Sequence, residues 1–271
     1  MIAFPDIDPI ALQIGPVSVH WYGLMYGVGF IGAWWLAKIS MKRPHVHWDS
    51  EQFSDLFLYV ILGVVVGGRL GYMLFYTTGN STLQIWEVWK GGMSFHGGLL
   101  GVMFAMWLYA YRNQRGFFDV ADFIAPLVPF GIFTVRIGNF INSELWGKVA
   151  DASIPWAVVF PNGGPLPRHP SQLYEALLEG LLMLIILWLF SVRPRPRMAI
   201  SALFLIIYGA SRFAVEFVRV PDAQIGYLYG GWFTMGMLLT TPMILGGVGL
   251  LWWAYYRQPQ NQPHNDTASH S

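Results

Sequence analysis

The sequence contains no cysteine and few charged residues. The missing cysteine excludes a disulfide framework, a thiolate metal site and a cysteine nucleophile belonging to this chain. Charged residues make up 11% of the chain, whereas soluble domains carry about 25%. The net charge of +1 gives no support for nucleic-acid binding. With 55% hydrophobic residues and a mean hydropathy of +0.45, the composition indicates an integral membrane protein.

Seven segments are apolar enough to suggest membrane-spanning helices, which need about 20 residues. We therefore predict an all-α integral membrane protein with seven transmembrane helices and one membrane domain over residues 1–257. The polar tail, 258–271, is expected to be disordered. Asp6 and Asp8 precede the first apolar segment without a basic region, so we expect no cleaved signal peptide. The predicted spans are 21–37, 53–76, 97–111, 120–141, 171–191, 199–218 and 232–256.

Basic residues predict the orientation of these helices. If the seven helices alternate, one side carries Lys38, Lys42, Arg43, Arg112, Arg115, Arg193, Arg195, Arg197 and Arg257. Because basic loops stay in the cytoplasm, the N-terminus is expected outside and the C-terminus inside. The outer side then holds the connections 77–96, 142–170 and 219–231. The second of these is too long for a plain link, so it predicts a small packed head.

Polar residues within or beside the predicted spans are candidates for chemistry, because polar groups facing lipid are costly. Arg69, Arg136 and Arg212 lie in predicted spans, and arginine can bind a phosphate through two parallel hydrogen bonds. The alternative is structural ion pairing, with Glu144, Glu175, Glu179 and Glu216 as available partners. The stretch RIGNFINSELWG, 136–147, concentrates such residues where a helix reaches the outer surface.

Helical spacing groups several of these residues. Tyr208, Arg212 and Glu216 follow an i, i+4, i+8 pattern and share one helix face, as do Arg136 and Asn139 at i, i+3. The first set suits either a ligand site or a static ionic latch, and the second suits either a ligand site or a polar cap that holds the long loop in place. His96, between Phe95 and two glycines, is a candidate proton acceptor, although a lone histidine is more often structural. His20 and His169 are equally ambiguous, and no spacing indicates a zinc site.

Six blocks together resemble the bacterial phosphatidylglycerol–prolipoprotein diacylglyceryl transferases. They occur in the family's order over essentially the whole chain: HWYGLMYGVGF at 20–30, GGRLGYMLFY at 67–76, GGMSFHGGLLG at 91–101, RIGNFINSELWG at 136–147, RHPSQLYEALLEG at 168–180 and YGASRFAVEFVRVPDAQ at 208–224. The sequence departs from the family pattern at Val135 and Ser143, where glycine is usual. The head also looks shorter than in relatives, so the roles of its loops carry over weakly.

The resemblance implies a multi-pass enzyme of the bacterial plasma (inner) membrane. It would transfer the diacylglyceryl group of phosphatidylglycerol to the lipobox cysteine thiol of prolipoproteins and release glycerol phosphate, as the first step of lipoprotein maturation. No cofactor or metal is implied. The expected partners are phosphatidylglycerol, prolipoprotein signal peptides and membrane lipids, and we expect a monomer that does not bind nucleic acid.

The resemblance also assigns residues. The catalytic candidates are His96, Arg136 and Arg212, and the substrate-binding candidates are Tyr22, Asn139, Asn142, Glu144, Gly147, Tyr208 and Glu216. Arg69 joins the substrate-binding candidates as an arginine within a predicted span, not through the resemblance. The absence of cysteine fits, because the substrate supplies the sulfur.

Three other functions compete with this interpretation. An anion transporter or channel would use the same arginines but would need a polar path through both leaflets, and the fifth and seventh segments are almost wholly apolar. A lipid-binding structural protein would need neither His96 nor the long outer connection. An intramembrane protease would need a motif that is not present.

Overall fold

The computed structural model describes residues 2–5, 7–8, 10–15, 17–76, 92–151, 153–221 and 225–257. The helices are α1 Trp21–Ser40, α2 Ser50–Tyr76, α3 Phe95–Arg112, α4 Phe117–Ile124, α5 Val128–Ile141, α6 Ser171–Glu175, α7 Met183–Phe190, α8 Ala199–Glu216 and α9 Met235–Tyr256. A π-helical segment, Ala176–Leu182, joins α6 and α7 into one continuous rod. The strands are β1 Ile2–Ala3, β2 Ile10–Ile14, β3 Val17–His20, β4 Val158–Val159, β5 Tyr227–Tyr229 and β6 Phe233–Thr234.

Helices occur in each of the seven segments where the sequence predicts them. The prediction of one unbroken helix over 120–141 was wrong, because α4 and α5 meet at a bend of 49°. Pro126 lies in the bend, and Pro129 lies in the first turn of α5. Proline lacks an N–H donor and clashes with the preceding turn, so a continuous helix here would lose backbone hydrogen bonds. The polar tail from residue 258 lies outside the described residues.

Four helical rods are long and apolar enough to cross a membrane: Ser50–Leu74, Ser171–Phe190, Ala199–Glu216 and Met235–Tyr256. The bent pair α4–α5 makes a fifth if it is counted as one span. Helices α1 and α3 are long enough, but their tryptophans, tyrosines and glycines lower their mean hydropathy. The fold is therefore that of a mainly helical membrane protein, and seven crossings remain a prediction.

Glycines allow α2 and α3 to pack with their backbones almost in contact. Gly63, Gly67 and Gly71 on α2 face Gly97 and Gly101 on α3. A Cβ atom added to Gly67 would lie 2.4 Å from the carbonyl oxygen of Gly97. Small residues four positions apart permit this close approach in membrane helices. The pairing fixes the start of α3, which carries His96.

One end of the bundle gathers the connections that carry most of the basic residues. Arg43 donates to the carbonyl and the hydroxyl of Ser191, at 3.0 and 2.8 Å, which joins the ends of α1 and α7. Arg197 pairs with Asp119 at 3.0 Å. An apolar core beneath them includes Trp48, which stacks on Phe123 with 4.5 Å between ring centroids. The expected clustering of these loops at one end is thus observed.

The opposite end carries the head, residues 142–170, which packs against the chain's own N-terminus. Strand β1 pairs in parallel with β4, and Phe4 lies against Phe140 and Phe160. The head also contacts the segment after α8, because the Lys148 N–H donates to the Val218 carbonyl at 2.8 Å. The β2–β3 hairpin leads directly into α1. The sequence predicted a packed head but none of these short strands.

Candidate active site

Three arginines and three buried glutamates meet at the head end of the bundle. We call these residues the arginine–glutamate cluster: Arg136, Glu175, Glu179, Arg212, Glu216 and Arg219. The arginines come from α5, α8 and the residues just after α8, whereas Glu175 and Glu179 come from the rod that begins with α6. Glutamate buried in apolar surroundings is costly unless it is paired. The cluster pairs Glu175 and Glu216 closely, whereas Glu179 lies 3.9 Å from Arg136 and neither of its oxygens accepts a hydrogen bond from the described residues.

Glu175 lies at the centre of this cluster. Its Oε1 atom is 2.5 Å from Arg212 and 2.6 Å from Arg219, and its Oε2 atom is 3.0 Å from Nε of Arg136. Glu216 contacts the second amino group of Arg212 at 2.5 Å. The side chains of Glu175 and Glu179 are fully buried, whereas the three arginine side chains keep 14–19% exposure. The arginine side chains therefore keep some exposed surface, which Glu175 and Glu179 lack.

The expected pairing of Arg212 with Glu216 is confirmed by this contact. The alternative interpretation, in which the arginines form ion pairs, also holds, but the ion pairs do not use all of the arginine N–H donors. A guanidinium has five N–H donors, and each arginine uses only some of them here. The cluster can therefore be both internally paired and available to an anion.

A chain of hydrogen bonds extends from the cluster into the head. Arg136 donates to Oδ1 of Asn139 at 3.4 Å, and the Asn139 amide donates to Glu144 at 2.9 Å. Asn142 donates to the same Glu144 oxygen at 3.4 Å. The shared face expected for Arg136 and Asn139 is thus observed. Glu144 is anchored in turn, because Gln172 donates to its backbone carbonyl at 2.5 Å.

Two tyrosines are candidates to border the cluster. Tyr208 lies four residues before Arg212 on α8, so the two side chains share a helix face. The Tyr22 hydroxyl lies 3.3 Å from that of Tyr26, and the described residues show no hydrogen bond from Tyr22 to the cluster.

His96 lies in the first turn of α3 with an exposed side chain. Ser94 caps this helix by accepting a hydrogen bond from the Gly97 N–H at 3.2 Å. The ring of His96 contacts Phe95, and the described residues show no hydrogen bond or ion pair between His96 and the arginine–glutamate cluster. Residues 77–91 of the preceding connection lie outside the described part. The structure thus brings Arg136 and Arg212 together but does not join His96 to them.

Arg69 and Gly147 are held by contacts within the chain. Arg69 is 5% exposed and donates to the Gly92 carbonyl at 3.1 Å, next to the start of α3. A Cβ atom on Gly147 would lie 2.6 Å from the Val218 carbonyl oxygen and 2.8 Å from that of His169. Packing of the head therefore accounts for glycine at position 147.

A small, partly enclosed cavity of about 30 Å³ adjoins the cluster between α8 and the start of α9. It is lined by Arg212, Glu216, Arg219, Val220, Gly226, Thr234, Met235 and Gly236. Thr234 donates to Glu216 at 2.7 Å and also caps α9 by accepting from the Met237 N–H. The described residues contain no group of histidines and carboxylates suited to a metal ion.

His169 belongs to the head, where its Nδ1 atom lies 3.2 Å from the Tyr174 hydroxyl. Partial burial and the nearby Lys148 lower the pKa of His169 below its ordinary value of 6.5. His20 precedes α1 directly and has an exposed side chain. Neither histidine contacts the arginine–glutamate cluster.

Sequence reasoning missed two features of the site. It recognised Glu175 only as one available acid, and it did not single out Arg219, which begins the predicted outer connection 219–231. Arg219 follows Glu216 at i+3 and lies 3.4 Å from it, so helical spacing was a signal for that pair. The contacts of Glu175 join separate elements, and spacing within one helix cannot reveal them.

Comparisons with known proteins give a consistent result over nearly the whole chain. A family model described as prolipoprotein diacylglyceryl transferase matches residues 9–253. A relative from Pseudomonas paraeruginosa, named phosphatidylglycerol–prolipoprotein diacylglyceryl transferase, is 60% identical over 261 residues, which cover 95% of this chain and 97% of the relative.

Two further relatives carry the same name. One from Pseudomonas putida is 56% identical over 270 residues, covering 97% of this chain and all of the relative. One from Pseudomonas fluorescens is 56% identical over 275 residues, covering 99% of this chain and all of the relative. By sequence match and by its membrane-type helical fold, the chain belongs to the prolipoprotein diacylglyceryl transferase family.

Proposed function

We propose that this protein transfers the diacylglyceryl group of phosphatidylglycerol to the lipobox cysteine of prolipoproteins, the first step of lipoprotein maturation. One observation carries the proposal. Three arginines meet at one end of an apolar bundle, beside a small cavity, and their side chains stay partly exposed although they are ion-paired. The phosphate of an anionic lipid near the membrane surface would be a suitable acceptor for their remaining N–H groups. Relatives at 56–60% identity have the corresponding name.

The reaction needs cationic groups because negative charge develops on the leaving group. The sulfur of the substrate cysteine attacks the glycerol carbon that carries the phosphate, and a carbon–sulfur bond forms while the carbon–oxygen bond breaks. The bonding electrons stay on the phosphate oxygen, so a phosphodiester becomes glycerol phosphate, a monoester. The thiol proton leaves to a base. Fixed donors aimed at the developing charge stabilise such a transition state.

Arg136 and Arg212 are the proposed phosphate donors, with their remaining N–H groups directed at the lipid. Asn139, Asn142 and Glu144 would orient Arg136 or the headgroup through the hydrogen bonds that join them. Glu216 would hold Arg212, while Tyr22 and Tyr208 would border the bound headgroup. For Arg69 and Gly147 the contacts described above support roles in shaping the site.

His96 is the proposed proton acceptor. The substrate thiol has an ordinary pKa near 8.5, so removal of its proton assists attack at neutral pH. His96 has an exposed ring that makes no hydrogen bond within the described residues, so it is available to a substrate. The proposal requires that bound substrates contact both His96 on α3 and the arginines of the cluster.

The membrane arrangement is part of the proposal. Seven crossings in one domain of residues 1–257 would place the head and the N-terminus in the periplasm and the C-terminus in the cytoplasm. The separation of the two ends supports this, since the basic loops lie opposite the head. Location in the bacterial inner membrane and a monomeric state complete the proposal.

A mass measurement tests the function. Purified protein is incubated with phosphatidylglycerol vesicles and a lipobox peptide, and an active relative serves as the positive control. The peptide should gain the mass of one diacylglyceryl group, and a peptide with serine in place of the lipobox cysteine should gain nothing. An unchanged cysteine peptide beside an active control would refute the proposal.

A further inference from the structure

Glu175 makes contacts that no other acidic residue in the described part of the chain makes. Its two carboxylate oxygens pair with three arginines that come from different parts of the fold. Arg136 belongs to α5, Arg212 to α8, and Arg219 to the segment after α8. One carboxylate thus fixes the relative positions of three cations whose backbones are not adjacent in sequence.

The energetics of these ion pairs indicate that Glu175 positions the arginine charges more than it stabilises the fold. Removing two opposite charges from water costs about as much as their attraction returns, so a buried ion pair is weak evidence for stability. Glu175 is fully buried, and its three partners are mostly buried. Packed apolar residues in place of the whole cluster would hold these elements together as well. What an apolar residue cannot do is hold guanidinium groups in a set orientation.

The contacts also leave each arginine with donors to spare. The Nε atom of Arg136 lies 3.0 Å from Glu175 as an ion pair without a hydrogen bond, whereas Arg212 directs one amino group at Glu175 and the other at Glu216. Each amino group carries two hydrogens, so each amino group of Arg212 keeps one hydrogen beyond these contacts. The side chains of Arg136 and Arg212 retain 19% and 17% exposure, and Arg212 lines the small cavity. Glu175 therefore contacts both guanidinium groups without using all of their donors.

The local backbone adds an independent observation. Glu175 is the last residue of α6, and a π-helical segment begins directly after it. Such segments are rare and occur mostly at functional sites, since they cost regular helical hydrogen bonds.

We propose that Glu175 is a positioning residue that holds Arg136 and Arg212 in the orientation in which they stabilise the leaving phosphate. This inference rests on the proposed transferase function and extends it. Glu175 touches no reacting atom; it acts through the two arginines. Loss of Glu175 should therefore lower kcat, which reports the step in which negative charge develops. It should change KM less, because the membrane already concentrates the lipid.

The test compares Glu175→Gln with Asp122→Asn, a matched control at the other end of the bundle. Asp122 is a carboxylate that accepts hydrogen bonds from the Met198 N–H at 2.7 Å and from Ser201, so its loss affects structure far from the arginines. Folded protein is quantified by size-exclusion chromatography and thermal unfolding. The values of kcat and KM for phosphatidylglycerol are then measured per folded molecule.

We expect Glu175→Gln to lower kcat about 100-fold or more, the scale of losing one preorganised donor to an oxyanion, with a much smaller change in KM. Asp122→Asn should lower the melting temperature while keeping kcat per folded molecule. Equal kcat values per folded molecule in the two variants would overturn the inference. If unmodified protein shows no turnover, the proposed function fails instead.

A second variant covers the case in which Glu175→Gln does not fold. Glu175→Asp keeps the charge but is one methylene shorter, so it cannot reach all three arginines in the same arrangement. We expect it to fold and to have a lower kcat than unmodified protein with KM nearly unchanged. A kcat equal to that of unmodified protein would overturn the inference.

Discussion

At the scale of single residues, Ser143 has a strained backbone conformation beside the site. Its backbone has a φ of +54°, in the left-handed region, and its side chain is buried without a hydrogen-bond partner among the described residues. Left-handed geometry costs a non-glycine residue about 1–2 kcal/mol. The serine therefore carries strain next to the chain of hydrogen bonds through Asn142 and Glu144.

Replacing Ser143 with glycine should stabilise the protein by about 1 kcal/mol, because the strain exceeds the entropic cost of glycine. Thermal unfolding in detergent measures the effect as a rise in melting temperature. Ser143→Ala is the control, since it removes the hydroxyl but keeps the strained φ, and it should not show the same rise. A melting temperature that falls in the glycine variant would contradict the assignment of strain.

His96 gives a prediction about chemistry. His96→Gln keeps a polar side chain of similar length but cannot accept a proton near neutral pH. Loss of a general base typically lowers turnover 100-fold to 10,000-fold. We expect a decrease of this size in kcat for peptide modification, with unchanged folding because the ring is exposed. Turnover near that of the unmodified protein would remove His96 as the base and would favour a phosphate oxygen or a water molecule.

His169 gives a prediction about pH. Burial, and next Lys148, lower its pKa in the folded state, so the unfolded state binds more protons as the pH falls. Stability is therefore complete above the unfolded value of about 6.5 and decreases as the pH drops below it. The melting temperature of the unmodified protein should fall more between pH 7.5 and 5.5 than that of His169→Asn. Parallel curves for the two proteins would contradict this.

At the scale of elements, close packing of α2 on α3 sets the position of His96. Gly67→Ala would push the helices apart, since the new Cβ would lie 2.4 Å from a backbone oxygen. Overpacking of this kind costs about 1–3 kcal/mol. Gly98→Ala is the control on the same helix pair, because the nearest atom to its Cβ would be 3.7 Å away. We expect a lower melting temperature for the first variant only, and equal values would contradict the packing argument.

The elements also show where sequence reasoning succeeds and where it stops. The Arg212–Glu216 and Arg136–Asn139 contacts follow from helical spacing, so the sequence predicted them. The break after Ile124 had a signal in Pro126 and Pro129, which the apolar pattern masked. The pairing of Ile2–Ala3 with Val158–Val159 had no signal in the sequence, because a two-residue strand has no detectable periodicity. Contacts of Glu175 depend on how separate helices pack, which local patterns do not encode.

At the scale of the whole molecule, charged residues gather at the two opposite ends of the helical bundle. One end gathers basic loops and an apolar core with Trp48, and the other carries the head and the arginine–glutamate cluster. This division is what a membrane enzyme needs if its lipid and its protein substrate both arrive from one face. An anion transporter would need arginines along a path between both ends, whereas the described arginine–glutamate cluster lies at the head end.

The most direct test of the proposed reaction measures the glycerol phosphate that is released. Reactions with phosphatidylglycerol and a lipobox peptide are analysed for glycerol phosphate and for modified peptide in the same sample. The account predicts one glycerol phosphate released for each diacylglyceryl group attached to sulfur, because the bond between the glycerol carbon and the phosphate oxygen breaks. Peptide that retains the phosphate, or peptide modified without release of glycerol phosphate, would contradict it.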